Sequence, residues 1–477
     1  MTNLSDQFSD PVLKHVGRVA DENSREAYVV GGYVRDILLG RPCTDIDFVT
    51  VGSGVELARA VGRSFGPRTR VTVFRTYGTA RLMHKGQELE FVGARKESYR
   101  HDSRNPIVEN GTLADDIARR DFTVNAMAVC VNSGRYGQLV DMYNGLDDLH
   151  KGIIRTPGDP DVTFDDDPLR MMRAVRFASQ LGFRVHPDTL DSITRNAHRL
   201  EIITRERIAV ELHKIMLSPK PSVGWTLMFR TGLLQQVLPE LADMAGVAVM
   251  HGRGHKDNFY HTMEVLDNVA AKTDDEWTRW AALLHDIAKP RTRRWVDNIG
   301  WTFHNHNFIG AKMVPGIFSR LKLPGGEPMR KVQQLVELHM RPIALVEDIV
   351  TDSAVRRLHN YAGELLSDLM VLARADITSK NLEKKQRFLD NFDLVEKKFA
   401  NVEAIDKDRA FRPALDGNDI RAIFSLPQCP EVGFFMKNLT QVSKDCLIEP
   451  TREAALQYVL ELGRKNGYEG NPGAITL

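Results

Sequence analysis

Cysteine is scarce in this sequence. Cys43, Cys130, Cys429 and Cys446 are the only four in 477 residues. They lie far apart and form no CxxC pair, so they read as reduced thiols of a cytoplasmic protein. Long apolar runs are missing too, and nothing is long enough to span a bilayer. The N-terminal MTNLSDQFSD is polar and lacks the basic and apolar regions of a signal peptide. Low-complexity segments and short-period repeats are absent. Charge of one sign is not in excess. The formal net charge is +1, so only local clusters can argue for a nucleic-acid partner. What remains is an ordinary globular composition, 42% hydrophobic and 27% charged, on a chain long enough for several domains.

The most informative stretch is Tyr28–Val51, YVVGGYVRDILLGRPCTDIDFVTV. It reads as strand, Gly31-Gly32 turn, short helix, loop and second strand. A diglycine before a helix lets a phosphate approach backbone N–H groups at the positive end of the helix dipole. On the second strand Asp45 and Asp47 share one face, with Ile46 and Phe48 on the other. Two carboxylates side by side repel, and shared divalent cations offset that cost. A phosphate cradle beside such a pair suggests nucleotidyl transfer.

Strands are predicted over Val71–Phe74, Gly78–His84 and Glu88–Val92. Glu90 in the last is either a third metal carboxylate or a solvent-facing strand residue. In ARRDFTVNAMA, Arg119, Arg120 and Asp121 open a helix-like apolar run that contains Asn125. Asp141–Gly158 reads as a turn-rich connector. From Thr163 the pattern is helical, with acids and a proline in the first turn. Arg170, Arg173 and Arg176 follow at steps of three as a basic edge. Asp167 and Arg170 are helix neighbours, for which a surface ion pair of small value is the plain alternative. Helices are predicted over Pro187–Ala197, Arg205–Leu217 and Val223–Phe229. With Arg205 and Arg207 nearby, the arginine-rich section is a candidate track for RNA phosphates.

A second constellation lies further on. His261, His285-Asp286, His304, His306, His339 and Asp376 fall in one window, although the chain has only 15 His. A lone apolar-helix His is more often core than ligand. An adjacent His-Asp pair, however, is costly to bury without a partner. Imidazole with carboxylate suits a transition metal such as Mn, Ni, Co or Fe. Near the C-terminus, Lys380, Lys384, Lys385, Arg387, Lys397 and Lys398 form a basic run, either a solvated helix face or a phosphate track.

The segments GGYVRDILLG with DID, LEFVGAR, RRDFTVNA, DMYNGLDDL, DDPLRMMRAVRFASQLGF and TRERIAVEL occur in one order over the first half. In them the chain resembles the class II tRNA nucleotidyltransferases, that is, the bacterial and eukaryotic CCA-adding enzymes and the bacterial poly(A) polymerases. The resemblance implies an α+β fold, with an N-terminal polymerase-β-type palm followed by mostly helical parts. The expected boundaries are palm 1–150, helical neck 151–235, a third domain 236–378 and a tRNA-binding tail 379–477, where ALDGNDIRAIF with Asp416-Gly417 resembles the family's tail. It assigns Asp45 and Asp47 to Mg²⁺, and Gly31, Gly32 and Arg35 to the triphosphate. Arg120, Asp121 and Asn125 would sit at the nucleotide, with Asp121 at the ribose 2′-hydroxyl. Asp167 and Arg170, with Arg173 beside them, would read the base without a nucleic-acid template. Cytosine and adenine both offer an amino donor beside a ring-nitrogen acceptor, which a carboxylate and a guanidinium match. Uracil and guanine reverse that edge. The family usually has Glu where this chain has Asp166. Arg176, Arg205 and Arg207 are the expected RNA contacts.

The order of the second constellation resembles the HD phosphohydrolase superfamily. The implied ligands are His261, His285, Asp286 and Asp376, with His306 and His339 completing a second metal site and His304 a weaker candidate. The expectation is a cytoplasmic enzyme that adds C, C and A to the tRNA 3′ end from CTP and ATP, releasing pyrophosphate by two-metal catalysis, with no membrane and no obligatory protein partner. The alternatives are an A-adding enzyme or poly(A) polymerase, or an HD-type hydrolase whose N-terminal half only binds RNA. A non-catalytic RNA-binding protein ranks last, since both ligand sets look complete.

Overall fold

The computed structural model describes residues 2–75, 78–100, 103–250, 253–254, 257–347, 358–359, 361–378, 381–410, 412–444 and 447–475. Lys380 and Cys446 lie outside them. The chain divides into two compact units, residues 1–343 with 364–385, and residues 344–363 with 386–477. Among the described residues no helix is long and apolar enough to cross a membrane.

The first unit begins with a seven-stranded mixed sheet, the palm expected of an α+β chain. Its strands are β1 (Ala27–Val30), β2 (Asp45–Thr50), β3 (Val71–Phe74), β4 (Thr79–His84), β5 (Gln87–Gly93), β8 (Met127–Cys130) and β9 (Leu139–Asp141). Between β5 and β8 the chain forms a separate hairpin, β6 (Arg95–Arg100) with β7 (Ser103–Asn110). The sheet order is β3-β4-β5-β2-β1-β8-β9, and only β2 and β5 run parallel. Alternation along β2 and β5 separates two faces. Ile46, Phe48, Leu89 and Phe91 are buried on one, where the rings of Phe48 and Phe91 stack at 4.9 Å. The amphipathic helix Gly54–Phe65 covers that face with Leu57, Ala58 and Val61. The opposite face carries Asp45, Asp47, Glu88 and Glu90.

Two expectations fail here. The run after Arg120 is not a helix: a helix (Leu113–Ala118) ends before it, a short 3₁₀ turn (Thr123–Asn125) follows, and Met127–Cys130 is a central strand. All four strand residues are buried, so this strand has no alternation to distinguish it from a buried helix. Asp141–Gly158 is more than the expected turn-rich connector. It takes in the last residue of β9, the helix Gly145–Lys151 and a short strand, Ile153–Ile154.

Helices then dominate. The predicted single helix from Thr163 is two, Pro160–Asp166 and Leu169–Leu181. Pro168 disfavours helical backbone at the preceding residue, and Asp167 is extended, with φ −143°. The predicted helices near 187, 205 and 223 are Pro187–Asn196, Arg205–Met216 and Pro221–Arg230. Further helices cover Asn258–Ala270, Glu276–Leu284, His306–Leu321, Glu327–Leu338 and Leu366–Ala375.

The second unit packs Gly417–Phe424, Pro430–Lys444 and Arg452–Lys465 around Ile420, Phe424, Phe435, Leu439 and Val459. Phe424 and Phe435 stack at 4.5 Å. Asp416 caps the first of these helices, with Asp419 completing the capping box.

Candidate functional site

The palm site is built on the polar face of β2 and β5. Their register sets Asp45 beside Glu88 and Asp47 beside Glu90, so four carboxylates lie on adjacent positions of one face. Arg81 on β4 pairs with Glu88 at 3.0 Å, which leaves Asp45, Asp47 and Glu90 as the acidic group. Burial pushes the Asp47 carboxyl up to about 6, Arg120 opposing and Glu90, Asp45 and Glu88 adding to the rise. Such a face is short of positive charge and fits a divalent cation.

Gly31 ends β1 with φ +70° and leads into the helix Gly32–Leu38. A Cβ at Gly31 would lie 2.8 Å from Arg120 Nη1 and 3.9 Å from Asp47, so the turn needs glycine for both backbone and space. Arg120 is held from behind by Asp116, a fully buried carboxylate that sequence reasoning missed. Asp116 accepts from Arg120 Nη2 at 3.0 Å and from Arg119 Nε at 3.0 Å. Arg119 in turn offers its backbone carbonyl to Arg170 Nη2 at 2.8 Å.

The other residues form one network. Arg35 donates to Asn125 Oδ1 at 2.7 Å and to Asp36 at 2.9 and 2.7 Å. Asn125 donates to Asp121 Oδ1 at 3.0 Å, and Arg173 Nε donates to Asp121 Oδ2 at 2.7 Å. Burial alone would raise the Asp121 carboxyl, but Arg173 and Asn125 hold it down at about 2. Asp121 is 7% exposed, with both oxygens engaged. It orders its neighbours rather than facing open solvent. Phe177, also missed, lies under three guanidinium groups: Arg176 at 4.1 Å, Arg35 at 4.9 Å and Arg173 at 5.5 Å from the ring centre. Nothing in its helical spacing distinguishes it from an ordinary core aromatic.

The basic edge Arg170, Arg173 and Arg176 is therefore not a surface stripe. Arg170 and Arg176 are buried, and Arg176 pairs with Glu211 at 2.7 Å. Asp167 and Arg170 are not an ion pair with each other. Asp167 accepts from Arg207 at 3.3 Å, and Arg170 donates to the carbonyls of Thr163 and Arg119. Arg205 donates to the Gln236 carbonyl at 3.0 Å. All three expected RNA contacts thus have intramolecular partners; Arg176 is buried and must be satisfied, while Arg205 and Arg207 stay part-exposed.

The second site gathers residues from five helix ends. His261 approaches Asp376 at 2.8 Å and Asp286 at 3.7 Å. His285 lies 3.2 Å from Asp286 and 3.6 Å from Asp376. The other oxygen of Asp286 faces His306 at 3.3 Å and His339 at 3.9 Å, and the Nε2 atoms of those two histidines are 3.3 Å apart. Two overlapping ligand groups result, His261/His285/Asp286 and Asp286/His306/His339, with Asp286 common to both. His304 is exposed in the preceding turn and belongs to neither.

Each Nδ1 is tied away from the centre. His285, His306 and His339 bond the carbonyls of Ala282, Phe303 and Val336, each three residues back, at 2.8, 2.7 and 2.7 Å. His261 Nδ1 bonds the Thr378 hydroxyl at 2.9 Å. A carbonyl only accepts, so those three Nδ1 atoms donate and each Nε2 points inward. The buried Nε2 of His285 has no hydrogen-bond partner. Burial opposes its charge, yet Asp286 and Asp376 hold the imidazole up to about 10. His339 is pushed down to about 4 by burial and by His285. This donor set fits a divalent metal, whose charge replaces the proton on His285. Lys289, which sequence reasoning missed, pairs with Asp286 at 2.5 Å.

Three families match successive parts of the chain. They are the Poly A polymerase head domain over residues 27–155, the Probable RNA and SrmB- binding site of polymerase A over 182–244, and the HD domain over 257–381. An A-adding tRNA nucleotidyltransferase of Deinococcus radiodurans is 32% identical over 429 residues, covering 87% of this chain and 91% of the relative. A CCA-adding enzyme of Anoxybacillus flavithermus is 42% identical over 265 residues, covering 55% of this chain and 61% of that enzyme. A solved tRNA nucleotidyltransferase complexed with a primer tRNA and an incoming ATP analog is 25% identical with TM-score 0.57, covering 80% of this chain and 98% of that one. The chain belongs to the tRNA nucleotidyltransferase family, whose members use divalent metals, and it carries an HD domain. It is a nucleotidyltransferase.

Proposed function

We propose that this chain is a CCA-adding enzyme that extends the tRNA 3′ end with C, C and A from CTP and ATP and releases pyrophosphate. The observation that carries this reading is the acidic face of Asp45, Asp47 and Glu90 beside Gly31 and Arg120. Asp45 and Asp47, with Glu90 at their side, would hold Mg²⁺. When bound, that ion supplies charge for the triphosphate and lowers the pKa of the attacking hydroxyl. Gly31, Gly32 and Arg120 would receive the triphosphate, with Arg35 stiffening that wall through Asn125. Asp121 and Arg173 would fix the sugar side of the pocket. Asp167 and Arg170 would read the base edge, the base competing with Arg207 for Asp167. The attacking 3′-oxygen forms the new bond to the α-phosphorus as the bond to pyrophosphate breaks. We assign residues 1–150 to catalysis, 151–235 to base choice, 236–378 to the HD site and 379–477 to tRNA binding, in a cytoplasmic setting.

One observation favours an A-only reading: the A-adding relative matches over 87% of this chain, the CCA-adding one over 55%. Incubating the full chain with tRNA lacking CCA, and with tRNA ending in CC, and each nucleotide separately decides between them. Incorporation of C from CTP supports CCA addition. Incorporation of A alone, and only on tRNA ending in CC, overturns it.

For the second site we propose a phosphoester hydrolase dependent on Mn, Ni, Co or Fe. The inward-facing Nε2 atoms carry this reading. His261, His285, Asp286 and Asp376 would hold one ion and Asp286, His306 and His339 another. Such an ion supplies an activated water and a Lewis acid.

A further inference from the structure

The chain between two of these ligands forms a small hairpin that the readings above do not use. Its strands are Arg294–Val296 and Gly300–Thr302, antiparallel, with Trp295 directly opposite Trp301. The two indoles meet edge to face at 5.4 Å, and both are only partly buried. The Arg293 guanidinium lies over the Trp301 ring at 5.5 Å. Arg291, Arg293 and Arg294 are exposed around the base of the hairpin. The acidic residue at its tip, Asp297, accepts from the Trp295 indole at 3.1 Å.

Both roots of the hairpin touch the metal-ligand cluster. On one side, Lys289 pairs with Asp286 at 2.5 Å and lies 5.6 Å from the Phe303 ring centre. On the other, the Phe303 carbonyl accepts from His306 Nδ1 at 2.7 Å. The proposed hydrolytic centre thus touches the chain segments that flank the hairpin, Lys289 on one side and Phe303 on the other, and the hairpin carries a pair of indoles ringed by arginines. Aromatic faces stack nucleobases whatever their sequence, and arginines take the flanking phosphates. Three exposed arginines exceed what the single phosphate of a mononucleotide engages, so the charge matches several phosphates in succession.

We propose that the 294–302 hairpin is a binding arm for single-stranded RNA, which presents a phosphorylated 3′ end to the HD site. The proposal rests on the hydrolase reading of that site. Hydrolysis there would add water across one P–O ester bond. The hydroxide goes to phosphorus, and the proton goes to the departing alcohol oxygen.

The test uses the full chain and two readouts. First, a single-stranded RNA carrying 4-thiouridine beside its 3′-phosphate is irradiated with the protein, and the cross-linked peptide is mapped by mass spectrometry. Cross-links within residues 291–303 are expected. Cross-links confined to other segments overturn the proposal. Second, the Mn²⁺-, Ni²⁺- or Co²⁺-loaded chain is assayed on the RNA 3′-phosphate, on a nucleoside 3′-monophosphate and on base-free p-nitrophenyl phosphate. The ratio of RNA to base-free kcat/KM should fall at least about tenfold in Trp301→Ala. It should also fall in Arg291→Ser/Arg293→Ser, which keeps both indoles in place. An unchanged ratio in both variants overturns the arm. A ratio that falls equally for the mononucleotide overturns RNA as its ligand in favour of free nucleotides. If no loaded form hydrolyses any ester, the hydrolase reading fails, and the cross-link alone still decides whether the hairpin binds RNA.

Discussion

The two candidate sites in the first unit solve opposite electrostatic problems. The palm face crowds carboxylates with too little positive charge, and burial together with those neighbours pushes the Asp47 carboxyl up to about 6. Asp45 stays exposed. In the HD cluster the charges balance internally: Asp286 and Asp376 face the His285 imidazole and Lys289, and each of the four histidines is tethered through Nδ1. On the proposed reading, the first site is finished only by what arrives with the nucleotide. The other is set in place by the fold. A transferase that must accept successive nucleotides and a growing end gains from the first arrangement. A fixed hydrolytic centre gains from the second.

The sharpest way to break this comparison is to remove one residue from each side. Asp47→Ala should lower nucleotide incorporation by about three orders of magnitude while leaving hydrolysis of p-nitrophenyl phosphate intact. Both activities falling together would show that the sites are not separate. Phe177→Ala removes the ring beneath Arg35, Arg173 and Arg176. It should cost about 3 kcal/mol in urea denaturation and slow incorporation as the three arginines lose a common support.

The third effect is a pH dependence. Asp121 has a folded pKa of about 2 against an unfolded value of 3.8. Its stabilisation is therefore fully present above pH 3.8 and is lost as pH falls through 2. Integrated, it amounts to about 2 kcal/mol. Asp121→Asn should flatten the unfolding free energy between those limits, and an unchanged acid limb would remove Asp121 from the network. The smallest effect belongs to the HD side. Thr378→Val takes the partner from His261 Nδ1 and should weaken metal binding about tenfold, measured by titration with Co²⁺ and its visible absorption.

The same contrast explains what sequence reading could reach. Strands β2 to β5 were legible from their alternating residue types, and the fully buried β1 from the Gly31-Gly32 turn that follows it. Strand β8 was not, since Met127–Cys130 is buried on both sides. The break at Asp167-Pro168 imitates a helix start, so two helices read as one. The six HD residues were legible because histidine and aspartate are rare on apolar helices. The structure brings them together from as far as 115 positions apart in the sequence, as between His261 and Asp376. Asp116, Lys289 and Thr378 escaped notice. Their significance lies in which side chain they meet, and a single carboxylate, lysine or threonine does not advertise its partner. For the same reason the intramolecular acceptors of Arg176, Arg205 and Arg207 were not legible in the arginine spacing.

Asp116 ties two ends of the proposed nucleotide pocket to one post. It grips Arg120, which faces the phosphate side, and Arg119, whose carbonyl holds Arg170 on the base side. A shift of either arginine therefore tugs on the other. Discrimination between bases and grip on the triphosphate are geared together at this position, and evolution or engineering cannot retune one here while holding the other still.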